Sequence, residues 1–229
     1  PVMDTINEKE FDTRKLDRED LQLLGDRQLQ FLHDWSQNGA VLRAVLHQSP
    51  FCQPHHLMVA DMDSNGWPQS GRNRALEAIR EANAVMVSGD LHFASLVQNG
   101  IDDWEDAGWS FTLPAVLTQT HRSWRPEVSG ENRQPGMPDY TGRFFDGWRN
   151  KITVWAAANP RSFLIEDPYR GEGEETLEFL RTNGLGYGIL RFNKPDQSVT
   201  FESWPVYGEF RGPEAHEQHP GFPRTVNMK

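Results

Sequence analysis

The chain has 229 residues, and 23 lysine and arginine residues against 33 aspartate and glutamate residues give a net charge of −10. This length fits one large domain or two small ones, and the acidic balance argues against general binding of nucleic acid or anionic membranes. The single cysteine, Cys52, excludes an intrachain disulfide and a zinc finger. The first twenty residues do not resemble a secretory signal, and no segment reaches the roughly 18 apolar residues of a membrane span.

The first third of the chain predicts a charged arm, a helix and two short strands. Residues 1–20 are charged and aperiodic. After them, Leu29, Leu32 and Trp35 recur at helical spacing, which predicts a helix from an N-cap at Asp26 to about residue 38. Short apolar runs predict strands over 40–46 and 57–60. Residues 61–72 are rich in Asp, Ser, Asn and Gly, which predicts a loop.

The rest of the chain predicts a mixed α/β fold, because a second helix is followed at once by a compact strand. That helix carries its apolar face on Ala75, Leu76, Ile79 and Ala82. The strand covers residues 84–87 and ends at Ser88-Gly89-Asp90. Residues 124–150 are rich in Pro and Gly and predict loops, and the segment from 205 onward predicts an extended tail. Further strands are predicted near 110–113, 152–157, 185–192 and 198–204, and a further helix near 174–181.

The sharpest chemical feature is the segment VSGDLH, in which Asp90 and His92 follow an apolar strand. Ligands of open α/β sheets bind outside the carboxyl ends of the strands. In an extended backbone, positions i and i+2 face the same side, so this carboxylate and imidazole would form half of a metal site. The alternative is a strand-end turn with a side-chain hydrogen bond and a packed histidine.

Two further groups of residues could serve the same site. Asp61 and Asp63 follow the predicted strand 57–60, and paired carboxylates suit a hard cation. They lack the spacing of a calcium-binding EF-hand, and a solvated turn is the alternative. Arg72 and Arg74 begin the second helix, where a guanidinium could hold an oxyanion or pair with a surface acid.

The remaining polar residues favour ordinary structural roles. His216 and His219 precede Pro220 and are expected in a solvated tail, and Cys52 is expected to be a packed small hydrophobic residue rather than a nucleophile. A polar cluster that follows a predicted strand contains His121, Arg122 and Arg125.

Four segments occur in a fixed order that resembles a known family: LGDRQLQFLHDW (24–35), HQSPF (47–51), DMDSNGWPQSGRNRALEAI (61–79) and VMVSGDLHFASL (85–96). Together they resemble the second half of the alkaline phosphatase D (PhoD-like) family of calcineurin-like metallophosphoesterases, over about residues 21–115. The later segments YTGRFFDGWRNKITVWAAANP and GLGYGILRF are similar to a bacterial branch of that family.

The resemblance implies a four-layer αββα metallophosphoesterase sandwich with metal ions at the strand ends. It implies hydrolysis of a small-molecule phosphoester by metal-activated water, with calcium and iron, or magnesium, manganese or zinc, as the ions. Asp90 and His92 match the G-D-x-H metal motif, and Asp61 and Asp63 compete for one further ligand role. The candidate catalytic residues are His92 and Arg74. Family members are often exported, and the localisation of this chain stays open.

The family's earlier motifs, of the forms D-x-H, G-D-x-x and G-N-H, do not occur ahead of residue 85. The chain is therefore expected to be a C-terminal portion: an arm or continuation over 1–20, part of the phosphatase domain over 21–204 and a tail over 205–229. We expect the isolated chain to bind metal weakly and to hydrolyse little or nothing. The alternatives are a degenerate family member and a non-catalytic β-sandwich that binds a carbohydrate or a protein through its tryptophans: Trp67, Trp104, Trp109, Trp124 and Trp148.

Overall fold

The computed structural model describes residues 16–52, 54, 66–92, 94–116, 123–159, 184–206 and 217–228. Within these ranges, neither helix is long and apolar enough to cross a membrane. The elements in chain order are α1 (Asp26–Ser36), β1 (Arg43–Leu46), α2 (Gln69–Glu81), β2 (Ala84–Ser88), β3 (Ser95–Asn99), β4 (Trp109–Thr112), β5 (Gly142–Phe145), β6 (Lys151–Ala157), β7 (Gly186–Asn193), β8 (Ser198–Pro205) and β9 (Arg224–Asn227).

The strands form two sheets. The larger sheet has the order β1-β2-β4-β3-β6-β5, and the smaller sheet has the order β7-β8-β9 with antiparallel pairing throughout. In the larger sheet, β1, β2 and β4 are parallel, whereas β3 and β5 run antiparallel to their neighbours. The ends of β1, β2 and β4 therefore meet along one side of the sheet, which we call the carboxyl edge. It is formed by the residues that directly follow Leu46, Ser88 and Thr112.

Alternating side chains of the larger sheet enter two different cores. On one face, Val85, Leu96 and Phe111 pack against residues of the smaller sheet, and the rings of Phe111 and Phe201 meet edge to face with centroids 5.4 Å apart. On the other face, Met86 packs with Leu76 of α2 and with other apolar residues of both helices. The described residues thus form a helix layer and two sheets, which confirms the mixed α/β prediction.

Most predicted elements are present, with boundaries that differ by a few residues, but several predictions were wrong. α2 begins at Gln69, inside the predicted loop 61–72. Asp26 is not the N-cap of α1, because Gly25 takes that position and its N–H donates to the Gln28 side chain. The predicted strand over 57–60 and the predicted helix over 174–181 lie outside the described residues.

Three strands were not predicted: β3, β5 and β9. β3 has the sequence SLVQN, whose two adjacent apolar residues show no strand period, yet its centre is buried between β4 and β6. β5 lies within the Gly- and Pro-rich stretch 124–150, and β9 lies within the predicted tail. Each of these strands forms by pairing with another strand, and the local sequence pattern does not predict that pairing.

Arg72 on α2 is a buried structural residue, with 1% of its surface exposed. Its guanidinium donates to the carbonyl oxygens of Phe51 and Gly100 and to the side-chain oxygens of Asn73 and Asn99. These four acceptors are neutral oxygens, so the Arg72 guanidinium is used on the protein's own neutral groups rather than on an oxyanion or a surface acid. Arg72 therefore connects α2 to the segment that follows β1 and to the end of β3.

We expect Arg72→Met to lower the free energy of unfolding by about 3 kcal/mol or more, because it leaves buried carbonyl oxygens without donors. Urea unfolding of the full chain measures this. The matched control is Arg80→Met on the same helix, since Arg80 is exposed and makes one 3.2 Å hydrogen bond, to the Asp106 carbonyl oxygen. A similar loss in both variants would contradict a special role for Arg72.

Candidate functional site

The end of β2 is held by hydrogen bonds on both sides. On the β1 side, the His47 N–H donates to the Val87 carbonyl at 3.0 Å and the Gly89 N–H donates to the Gln48 carbonyl at 3.3 Å. On the β4 side, the Leu113 N–H donates to the Ser88 carbonyl at 2.7 Å. The pairing therefore continues one or two residues past the strands and fixes the backbone from which Asp90 departs.

Asp90 lies in a strained turn at the carboxyl edge. The Leu91 N–H donates to the Gly89 carbonyl at 3.0 Å, and φ of Asp90 is +75°. An i to i+2 hydrogen bond around a residue with positive φ is typical of the rarer, strained form of γ-turn. His92 also has a positive φ, of +60°. The backbone is thus not extended here. The prediction that Asp90 and His92 face the same side assumed an extended backbone, and that assumption was wrong.

One oxygen of the Asp90 carboxylate, Oδ2, is buried. Among the described residues, Asp90 Oδ2 has no hydrogen-bond partner, although it is shielded from solvent. A buried polar atom left in this state costs about 1–3 kcal/mol, and more when it is charged. A bound cation is one group that would compensate this cost, because carboxylate oxygens are ligands of hard metal ions.

His47 is a residue of the carboxyl edge that the sequence interpretation missed. Its Nδ1 lies within hydrogen-bond distance of the Ser49 carbonyl oxygen, so Nδ1 carries the proton and Nε2 holds the lone pair. The ring stacks on Phe51 with centroids 4.5 Å apart, and burial lowers the pKa of His47, which favours the neutral imidazole. Nε2 is buried and has no partner among the described residues. The available signal was its position directly after a strand parallel to β2.

The other candidate residues are dispersed or lie outside the described ranges. Arg74 is partly buried on α2 and donates to the Leu21 carbonyl oxygen. His219 is buried, with Nδ1 2.8 Å from Ser203 Oγ, so the solvated-tail interpretation was wrong for this residue. The residues outside the described ranges are Asp61, Asp63, His121, Arg122 and His216. Arg125 is described and exposed.

The five tryptophans of the binding-module alternative are all at least partly covered. Trp124 and Trp148 are buried, and the Trp124 indole N–H donates to the Tyr140 carbonyl at 2.9 Å. Trp104 contacts Phe145 at 5.2 Å between ring centroids, and the Arg143 guanidinium lies over the Trp104 ring. Trp67 and Trp109 are partly exposed.

No three His, Cys, Asp or Glu side chains in the described part of the chain lie close enough together to hold a metal ion. Of the four predicted metal ligands, Asp90 and His92 lie in the described ranges and Asp61 and Asp63 do not. Any metal held there would need additional ligands from elsewhere, and Asp61 and Asp63 are the sequence candidates.

Comparison with known proteins gives little beyond this geometry. No family model matches the chain, and no curated protein matches it. A solved structure described as the structure of PhoD aligns with 44% of this chain and 21% of its own chain, at 22% identity and a TM-score of 0.32. The aligned part therefore spans about a fifth of that protein, and the function has to be proposed from the residues of this chain.

Cys52 should be inert in the folded protein, as the sequence predicted for a packed residue. It is 1% exposed, and burial, with a smaller effect of Asp146, raises the pKa of its thiol to about 12. Because only the thiolate reacts, the buried thiol is expected to react very slowly at pH 8. We expect a disulfide reagent to label Cys52 in denaturant and not in native buffer. Rapid labelling of the native protein would contradict this burial.

The strain at Asp90 can be measured with a pair of substitutions. Asp90→Gly and Asp90→Ala both remove the carboxylate, but only glycine accepts a φ of +75° without steric cost. We expect the glycine variant to be about 1 kcal/mol more stable than the alanine variant in urea unfolding. Equal stabilities would mean that the turn is not strained.

Proposed function

We propose that this chain provides metal-ligating residues of a metal-dependent phosphoester hydrolase of the PhoD-like type. One observation carries the proposal: Asp90, in a G-D-x-H motif at the carboxyl edge, has a buried carboxylate oxygen that takes no donor from the described residues, and its backbone is held in a strained conformation. Strained residues of this kind cluster at functional sites, where the surrounding structure maintains them. The order of the four sequence segments supports the same family.

In this proposal, Asp90 and His92 are metal ligands, and either Asp61 or Asp63 supplies a further carboxylate. A bound divalent or trivalent cation lowers the pKa of water and neutralises phosphate charge. This accounts for how a chain with a net charge of −10 could accept an anionic substrate. The hydrogen bonds from His47, Gly89 and Leu113 at the end of β2 fix the backbone that carries these ligands.

Arg74 is the proposed cationic contact to the phosphate. It lies on α2, the helix between the parallel strands β1 and β2. Its described contact to the Leu21 carbonyl uses one terminal nitrogen of the guanidinium. An arginine has five N–H donors, so the remaining donors can serve an oxyanion. Arg72 does not take this role, because its donors are used on buried protein oxygens.

The test is metal binding to the full chain. Equilibrium dialysis against Mn²⁺ and Ca²⁺ should show weak, saturable binding near one equivalent, at least about tenfold weaker in Asp90→Asn and in His92→Gln. Asp196→Asn is the matched control, because Asp196 is an exposed aspartate in the turn between β7 and β8. Inorganic phosphate should bind to the wild-type chain only when metal is present.

Equal metal affinity in the wild type and in Asp90→Asn would contradict the proposed ligand role. Phosphate binding that does not depend on the metal would contradict the proposed use of the site.

A further inference from the structure

A cavity lies on the larger sheet, away from the carboxyl edge. It has a volume of about 290 Å³ and lies against β5 and β6. Glu105, which lines it, belongs to the loop between β3 and β4. Since β4 is parallel to β2, that loop lies at the end of the sheet opposite Asp90. The other wall is the segment 132–142, whose two ends are held together by the paired backbones of Glu131 and Arg143.

The cavity wall combines many neutral hydrogen-bonding groups with an apolar surface. The apolar part comes from Val154, Trp155 and Met137. A volume near 300 Å³ with an apolar wall and convergent polar groups is typical of a small-molecule site. The neutral polar side chains are two hydroxyls and two amides: Thr141, Thr153, Asn132 and Gln134.

The two charged residues of the wall are already neutralised by protein partners. Glu105 pairs with Arg143 at 3.1 Å. Arg133 pairs with Asp139 at 3.4 Å and also donates to the Met137 carbonyl oxygen. The cavity therefore offers little net charge to a ligand, which disfavours phosphate, sulfate or a free amine.

Glu105 is nevertheless presented in a form that can accept hydroxyl groups. Arg143 Nε and Thr153 Oγ1 both donate hydrogen bonds to Oε1 of Glu105. Oε2 takes no part in those contacts and can accept hydrogen bonds from a ligand. Glu105 also has a φ of +69°, a conformation that costs a non-glycine residue free energy and that often marks functional positions.

Trp155 is a further residue of the wall that carries a hydrogen-bond donor. The pairing of β3 with β6 matches Leu96 to Ala156 and Val97 to Val154, so Trp155 is the extra residue of a β-bulge. Bulges commonly re-aim a side chain beside a binding site. The Trp155 indole N–H is buried and has no acceptor among the described residues. A ligand oxygen in the cavity that Trp155 lines could provide one.

We propose that this cavity binds a neutral polyhydroxylated ligand, such as one sugar residue of a carbohydrate. Hydroxyl groups both donate and accept, which matches a wall that combines a carboxylate, two amides and two hydroxyls with the side of Trp155. The carbon skeleton of a sugar matches the apolar part of the wall. The inference is independent of the proposed metal site, because it uses none of the residues of the carboxyl edge.

The experiment is an NMR titration of the full ¹⁵N-labelled chain with glucose, galactose, mannose and N-acetylglucosamine, each in the absence of metal. The readout is the indole resonance of Trp155, assigned by its loss in Trp155→Phe. We expect at least one of these sugars to shift that resonance saturably.

Two variants locate the binding. Thr153→Val removes a hydroxyl of the wall and should weaken binding about fivefold, the value of one hydrogen bond. Gln134→Ala changes an exposed loop residue that is not part of the core, and it should also weaken binding while the fold is retained. The matched control is Thr200→Val in β8, where the hydroxyl contacts Thr225 at 2.8 Å. This variant should bind as the wild type does.

The proposal is overturned if none of the four sugars shifts the Trp155 resonance saturably. It is equally overturned if sodium phosphate produces the same shift, or if Thr200→Val weakens binding as much as Thr153→Val does.

Discussion

The parallel pairing of β1, β2 and β4 is the constraint on which the proposed site depends. It brings three strand ends to one edge, and its hydrogen bonds continue into His47, Gly89 and Leu113 beyond the strands. The short segment after β2 is therefore fixed by neighbours on both sides. A turn with positive φ at Asp90 persists only where the surrounding structure determines it in this way. The fold thus holds a carboxylate in a conformation that an isolated peptide would leave.

The two cores pack against the two faces of the larger sheet and hold its parallel strands in place. β2 is buried along its whole length, with Val85 facing the smaller sheet and Met86 facing the helices. The Arg72 guanidinium donates its hydrogen bonds to the carbonyl oxygens of Phe51 and Gly100. Because that charge is committed to the fold, and because the chain carries an excess of acidic residues, the proposed phosphate site requires another source of positive charge. In the proposed site, a metal ion at Asp90 and His92 would supply it together with Arg74.

The sequence predicted those parts of the fold that have a strong local pattern. The apolar face of α2 and the continuous apolar run of β2 are examples, and both were found within a few residues. The strands β3, β5 and β9 were missed because partners distant in the chain define them. Asp90 and His92 were identified by their motif, but their left-handed backbone was not, since nothing in the residue types requires it. His47 was missed because its significance depends on the parallel neighbour that the fold places beside it.

We propose that Asp90, with its strained backbone and its buried Oδ2, holds a cation. The most direct measurement is a crystal structure of the full chain soaked with Mn²⁺, with anomalous diffraction recorded to locate the ion. The account predicts an anomalous peak within bonding distance of Asp90 Oδ2, with His92 as a second ligand. A bound ion elsewhere on the protein, with Asp90 Oδ2 still lacking a partner, would contradict it.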